Sequence, residues 1–309
     1  MDDARLETLY NSLNQAIKNE CNEAITVAFS GGIDSTLVAF IANKYCNVEL
    51  IAVGVPGSHD LEAAKSAAKL IGMNIKIIEV NENEMVDEGL EMQEKIDLSG
   101  IEIEFMLPFW IAAKNTTNSI LMCGQGADEL FGGYARFRKE NAKKNLSREV
   151  KDLIERIPER EEMITRTFNL KLLCPYLNEN VIGAAETFSI DERIGELGKV
   201  ILRKVAIEFG LPEEITNRKK KAAQYGSGSQ RAIKKIVKHR IEFLMDFESE
   251  EIARAIVKAT GPENSGWVET TIMKNQIKAT VKARNLGSLR EAAEDFMACV
   301  SVAEKVIKD

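Results

Sequence analysis

AITVAFSGGIDSTLVAF, residues Ala24–Phe40, is the stretch whose reading decides the fold. Ile25, Val27 and Phe29 alternate as in a buried strand, while Ile33, Leu37, Val38 and Ile41 recur at helical spacing. Between them stand Ser30, Gly31 and Gly32, so a strand, a tight turn and a helix start follow without a break. Such a turn suits an anion, because backbone N–H groups and the positive end of the helix dipole face whatever lies over it. Glycine lets the main chain approach that ligand closely. The hydroxyls of Ser30, Ser35 and Thr36 are expected as further donors. Asp34 adds a carboxylate in the first helical turn, which repels a phosphate unless a divalent cation lies between, so Mg2+ is expected. The plainer alternative, glycines that merely turn the chain, is disfavoured by the order strand, SGGxDS, helix.

The same alternation continues outward. Val48–Val55, Asn74–Val80 and Ser119–Cys123 read as strands, with a helix over Leu61–Ile71 and further helical spacing over residues 4–20, 82–98 and 107–116. Strands alternating with helices predict an α/β fold, a doubly wound parallel sheet with right-handed crossovers. Ligands of such sheets lie at the carboxyl ends of the strands, where the Ser30 turn falls.

A second glycine-rich stretch, CGQGADELFGGY over Cys123–Tyr134, follows the fourth strand. It is not a dinucleotide fingerprint, since Glu129 stands where the third glycine belongs. Neither stretch is a Walker A loop, because no Gly-Lys-Ser/Thr follows either of them.

The 309 residues, 45% hydrophobic and 29% charged, suit one large or two ordinary globular domains. No apolar run reaches the roughly 20 residues of a membrane span. The acidic, amphipathic N-terminus lacks a signal-peptide core, so a cytoplasmic location and no membrane partner are expected. Five scattered cysteines without CxxC spacing read as reduced thiols. Two histidines leave little for zinc or Ser-His-Asp chemistry, and a net charge of −7 argues mildly against nucleic acid.

From about residue 145 helical spacing takes over: Ser147–Glu155, Val181–Thr187, Leu197–Phe209, Gln230–Phe247, Glu250–Thr260, Trp267–Arg284 and Leu289–Ile307. The expected domains are therefore 1–145, binding nucleotide, and 146–309, a mostly helical region completing the acceptor site. Within the latter, Ile215–Ile241 carries many lysines and arginines and no acid. A run of this kind is ordinarily a solvated helix face, but RKKKAAQYGSGS (Arg218–Ser229) sits in a loop-like segment from which lysines can reach a neighbouring site.

SGGIDS resembles the pyrophosphate loop (PP-loop) of the ATP pyrophosphatases, which have the adenine nucleotide alpha hydrolase-like fold and cleave ATP between its α and β phosphates. Together with AVGVPGSHDLEAA (Ala52–Ala64), CGQGADELFGGY, CPYL (Cys174–Leu177), KVILR (Lys199–Arg203) and LPEEITNRKKK (Leu211–Lys221), the chain resembles the C-terminal synthetase domain of asparagine synthetases, a branch that includes β-lactam synthetases. The resemblance implies a five-stranded sheet, of which four strands are readable. It implies ATP held by Phe29, Ser30, Gly31, Gly32, Asp34, Ser35, Val53, Cys123 and Gly124, Mg2+ on Asp34 and Asp128, and a lysine at Lys220 that stabilises the adenylate and departing pyrophosphate.

Three departures bear on the acceptor half. No glutaminase domain is present and no cysteine follows Met1, so ammonia, an amine or a separate glutaminase subunit is expected to supply nitrogen. The family's GEGADE glutamate, credited with assisting amine attack, is Gln125, whose amide accepts no proton. The family's Glu-x-Arg appears as Lys171 and Leu173, and the following Asp as Asn178. The expected activity is an AMP-forming amide ligase acting on a small-molecule carboxylate. Two alternatives stand beside it: a tRNA-modifying adenylating enzyme using the basic run, and a nucleotide-binding module without turnover.

Overall fold

Parallel pairing around one short strand organises the first part of the chain. In this computed structural model, which describes residues 4–96, 98, 100–133, 159–194, 198–218, 239–261, 268–283 and 286–308, β1 (Ile25–Ala28) lies between β2 (Val48–Gly54) and β4 (Ile120–Met122). Outside them run β3 (Ile75–Glu79) and β5 (Lys171–Leu173), giving an all-parallel sheet in the order β3-β2-β1-β4-β5. The four readable strands fall where expected, and Lys171–Leu173 supplies the fifth that the resemblance implied.

Helices cover both faces, as parallel sheets require. Ile25 and Val27 point into a core with α1 (Ala4–Lys18), α2 (Ile33–Ala42) and α3 (His59–Leu70). Thr26 points the other way, bonded to Thr116, Asn118 and Glu49. Beyond β3 come α4 (Glu82–Lys95), closed by an Asn81–Glu84 capping box, and α5 (Gly100–Asn115), which buries Met106, Leu107 and Trp110. After β4 come α6 (Ala127–Phe131) and helical residues 159–167 (α7). Past β5, a 3-10 turn at Pro175–Leu177 leads to α8 (Glu179–Glu186), α9 (Ile190–Ile194), α10 (Val200–Glu208) and α11 (Glu213–Thr216).

The division expected at residue 145 does not follow the compact units, which are Met1–Ala232 and Ile233–Asp309. The fifth strand and its following helices belong to the first unit, because β5 completes the sheet begun by β1.

The second unit adds strands to the C-terminal region, where helical spacing was expected throughout residues 230–247 and 267–284. Its β6 (His239–Asp246), α12 (Glu250–Thr260), β7 (Val268–Met273), β8 (Gln276–Ala283) and α13 (Leu286–Lys308) include an antiparallel sheet in the order β6-β8-β7. Ile277, Ala279 and Val281 alternate into a core with Ala253, Ile256, Leu289, Phe296 and Val300. Helical spacing is expected across β6 because Leu244, 60% exposed on the face opposite Phe243 and Met245, breaks the alternation of that strand. Among the described residues, no helix is long and apolar enough to cross a membrane.

Candidate active site

The sheet order reverses between β1 and β4, and the crevice at such a reversal is where doubly wound sheets receive ligands. Both glycine turns open there, one following each strand.

The first turn is bonded within itself. Ser30 N–H donates to Ser35 Oγ (3.2 Å), Ser35 Oγ donates to the Gly32 carbonyl (3.3 Å), and Gly32 N–H donates to Ser30 Oγ (3.3 Å). No side chain caps α2 at Gly32, which leaves the N–H groups of its first turn toward the crevice. Thr36 corrects an expectation: it is fully buried and its hydroxyl donates to the Gly32 carbonyl (2.7 Å), so it fastens the helix start and is not a ligand donor.

The second turn packs directly onto the first. A Cβ on Gly124 would lie 2.9 Å from both Asp34 Cβ and Ser35 N, so only glycine allows this approach. Cys123 is buried, its N–H donates to the Leu173 carbonyl (3.0 Å), and its thiol meets Cys174 (3.4 Å between sulfurs). Only its carbonyl is left for the ligand role expected of it. The contact with Cys123, together with burial, pushes the Cys174 thiol well above its ordinary range. Val53 lies next to the end of β2 on the other side of β1 and is buried, as is Phe29. Gln125 is half-buried between Gly124 and Gly126. Lys220 lies outside the described residues.

Asp34 and Asp128 are brought together on a cation that the sequence analysis did not assign. Lys199 Nζ is 2.5 Å from Asp34 Oδ2 and 2.5 Å from Asp128 Oδ1, with the lysine only 3% exposed. Lys199 precedes α10 with φ of 57°, a left-handed conformation unusual for a side-chain-bearing residue, and its N–H donates to the Phe131 carbonyl (3.1 Å). Gly133 makes room for this cluster, since a Cβ there would overlap both Asp128 Oδ1 and Lys199 Cε. The signal that could have found Lys199 was its place at the head of the KVILR block.

Two further blocks support the same point. Tyr176 of CPYL is fully buried, and its hydroxyl donates to the Asp34 carbonyl (3.1 Å). Burial, and then the Asp34 charge, push that phenol well above its ordinary value. Arg203 of KVILR donates to the carbonyls of Gly198 (3.0 Å), Thr216 and Arg218 (3.4 Å), tying the Lys199 turn to the segment that enters the basic run.

Compared with known proteins, the chain matches the family described as asparagine synthase over residues 8–172 and 141–267. A protein of Methanocaldococcus jannaschii, provisionally named asparagine synthetase (glutamine-hydrolyzing) 1, is 30% identical over 77% of this chain and 53% of its own length. The asparagine synthetase (glutamine-hydrolyzing) of Mus musculus is 28% identical over 94% of this chain and 59% of its own length. The chain thus spans little more than half the length of either relative. Among solved structures, NMN synthetase from Francisella tularensis is similar with a TM-score of 0.37 and 12% identity, covering 75% of this chain and 84% of that one.

Proposed function

Because this chain belongs to the asparagine synthase family, we propose that it is an AMP- and pyrophosphate-forming ligase that adenylates a small-molecule carboxylate and passes the acyl group to ammonia or an amine. Family membership supports ATP-dependent amidation in general; AMP formation, the acceptor and the nitrogen source are the finer parts of the proposal. A cytoplasmic setting and delivery of ammonia by a separate glutaminase subunit belong to the same reading.

The observation that carries it is the contact between the two glycine turns, with Asp34 and Asp128 converging on one cationic point. The Ser30 turn and the uncapped start of α2 offer N–H groups to a triphosphate. Phe29, Val53 and the Cys123 carbonyl flank the crevice where the nucleoside would lie. Asp34 and Asp128 fit a hard divalent cation, since both present carboxylate oxygens to the point now held by the Lys199 ammonium. Mg2+ held there would offset charge on the phosphates and on the bridging oxygen as it leaves.

In the first step an acceptor carboxylate oxygen attacks the α-phosphorus. The bond to the β-phosphate breaks, and pyrophosphate leaves with the electron pair. Lys199 and Lys220 are the cations assigned to that growing charge, the kind of stabilisation that dominates phosphoryl transfer. In the second step the amine attacks the acyl carbon, AMP departs and the amine loses a proton, which Gln125 is unable to accept.

The test is exchange of labelled pyrophosphate into ATP across a panel of carboxylates, followed by AMP release on adding ammonia or amines. Exchange that depends on one carboxylate supports the ligase. Tight ATP binding with no exchange under any condition would point to a nucleotide-binding module.

A further inference from the structure

Resting on the metal site proposed above, we infer that Lys199 is the site's own counter-ion, which occupies the divalent-cation position between Asp34 and Asp128 and must be displaced before metal enters. Its ammonium is 2.5 Å from an oxygen of each carboxylate, and the side chain is almost fully buried. The backbone holds it there. Lys199 adopts a left-handed φ of 57°, its N–H is fixed on Phe131, and Gly133 leaves the space its side chain crosses. Two carboxylates facing one buried point repel each other unless a cation lies between them.

An ammonium and a divalent cation cannot share that point, because Mg2+ needs carboxylate oxygens at about 2.0–2.1 Å in octahedral geometry. Among the described residues, no group of three or more His, Cys, Asp or Glu gathers to hold a metal. An incoming ion meets two carboxylates already paired with the Lys199 ammonium, which weakens their pull on a well-hydrated ion. Mg2+ carried on triphosphate oxygens brings its remaining ligands with it. The site thereby rejects free metal and accepts the metal–nucleotide complex, and Lys199 sets that preference.

The experiment measures Mn2+ binding by paramagnetic resonance in the absence of any nucleotide, comparing the wild-type chain with Lys199→Met. Removing the positive charge takes away the cation closest to both carboxylates and with it its repulsion of a dication, so binding is expected to tighten about tenfold or more. Adding Asp128→Asn to Lys199→Met should abolish the gain. Lys199→Met should also melt below wild type in chelator and recover on adding Mg2+, whereas wild type should melt alike in both. Lys199→Gln, whose amide still reaches a carboxylate, carries the same comparison should the methionine variant not fold. Equal Mn2+ affinity of wild type and both single variants would overturn the inference. The ligase reading is judged separately, by pyrophosphate exchange. Exchange without the Mn2+ effect removes only the role of Lys199, and the Mn2+ effect without exchange removes only the ligase.

Discussion

The turn after β1 is hydrogen-bonded within itself, whereas the turn after β4 is shaped by distant parts of the chain. In the first, Ser30, Gly32 and Ser35 bond to one another within a few residues. In the second, Gly124 rests on the start of α2, Gly126 on Leu177 and Gly132 on Ile194, while Lys199 reaches Asp128. The difference divides the labour of the site. A locally bonded turn draws its hydrogen bonds from its own residues, even where Gly31 packs on the Ala63–Ala64 backbone, while a turn assembled from four segments exists only once the unit has folded around it. The Asp34–Asp128 pair takes one carboxylate from each, so its geometry reports on both.

The largest effect should come from that shared pair. Asp34→Asn and Asp128→Asn should each reduce pyrophosphate release below detection, read by phosphate release with added pyrophosphatase. Wild-type turnover in either would break the claim that the two turns form one site. Next, Lys220→Ala should keep ATP affinity by calorimetry while losing roughly 10²–10³ in adenylation rate, the scale of one electrostatic stabiliser. Lys219→Ala should behave like wild type; equally mild alanine variants at Arg218, Lys219, Lys220 and Lys221 would reduce the cluster to a solvated surface.

Gly124→Ala sharpens the contrast on stability. Its methyl would be forced against Asp34 and Ser35, which should cost about 1–3 kcal/mol in denaturant unfolding. Protection of the second turn in hydrogen exchange should fall while that of residues 29–32 is retained. The smallest effect is expected of Tyr176→Phe, about 1 kcal/mol for a buried hydroxyl that no longer reaches the Asp34 carbonyl. The pH dependence has a defined sign. The folded phenol ionises above its ordinary value of about 10, so the unfolded chain loses this proton first and stability falls as pH rises past that value. Tyr176→Phe should remove that decline, and thermal melts between neutral and strongly alkaline pH would check it.

What could be read from the residues follows the same division. SGGIDS is interpretable because the hydrogen bonds that shape its turn join Ser30, Gly32 and Ser35 within it, and the strands around it are apolar or alternating enough to stand out. Lys199 is not, because its partners are Asp34 and Asp128, and nothing in its own surroundings marks it except the KVILR block. The β5 strand of Lys171–Leu173 opens on an exposed lysine and is only half-buried, so no apolar run marks it as one marks Ile120–Met122. In the second unit, β7 and β8 are joined through Lys274 and Asn275, a hairpin with φ of 56° at Lys274 and no glycine to announce it. Met273, half-exposed beside that turn, further blurs the apolar pattern.

The position of β1 also bears on how the chain is made. Ile25 pairs with Val48 on one side and with Ile120 on the other. As the polypeptide leaves the ribosome, β1, β2 and β3 can assemble at once, and the far edge of β1 then waits, unpaired, for a strand synthesised much later. An apolar edge left open in this way is a template for pairing with other chains. The crevice between the glycine turns lies on that seam, so the place where nucleotide is proposed to bind joins the two paired strands that lie farthest apart in sequence within the first sheet.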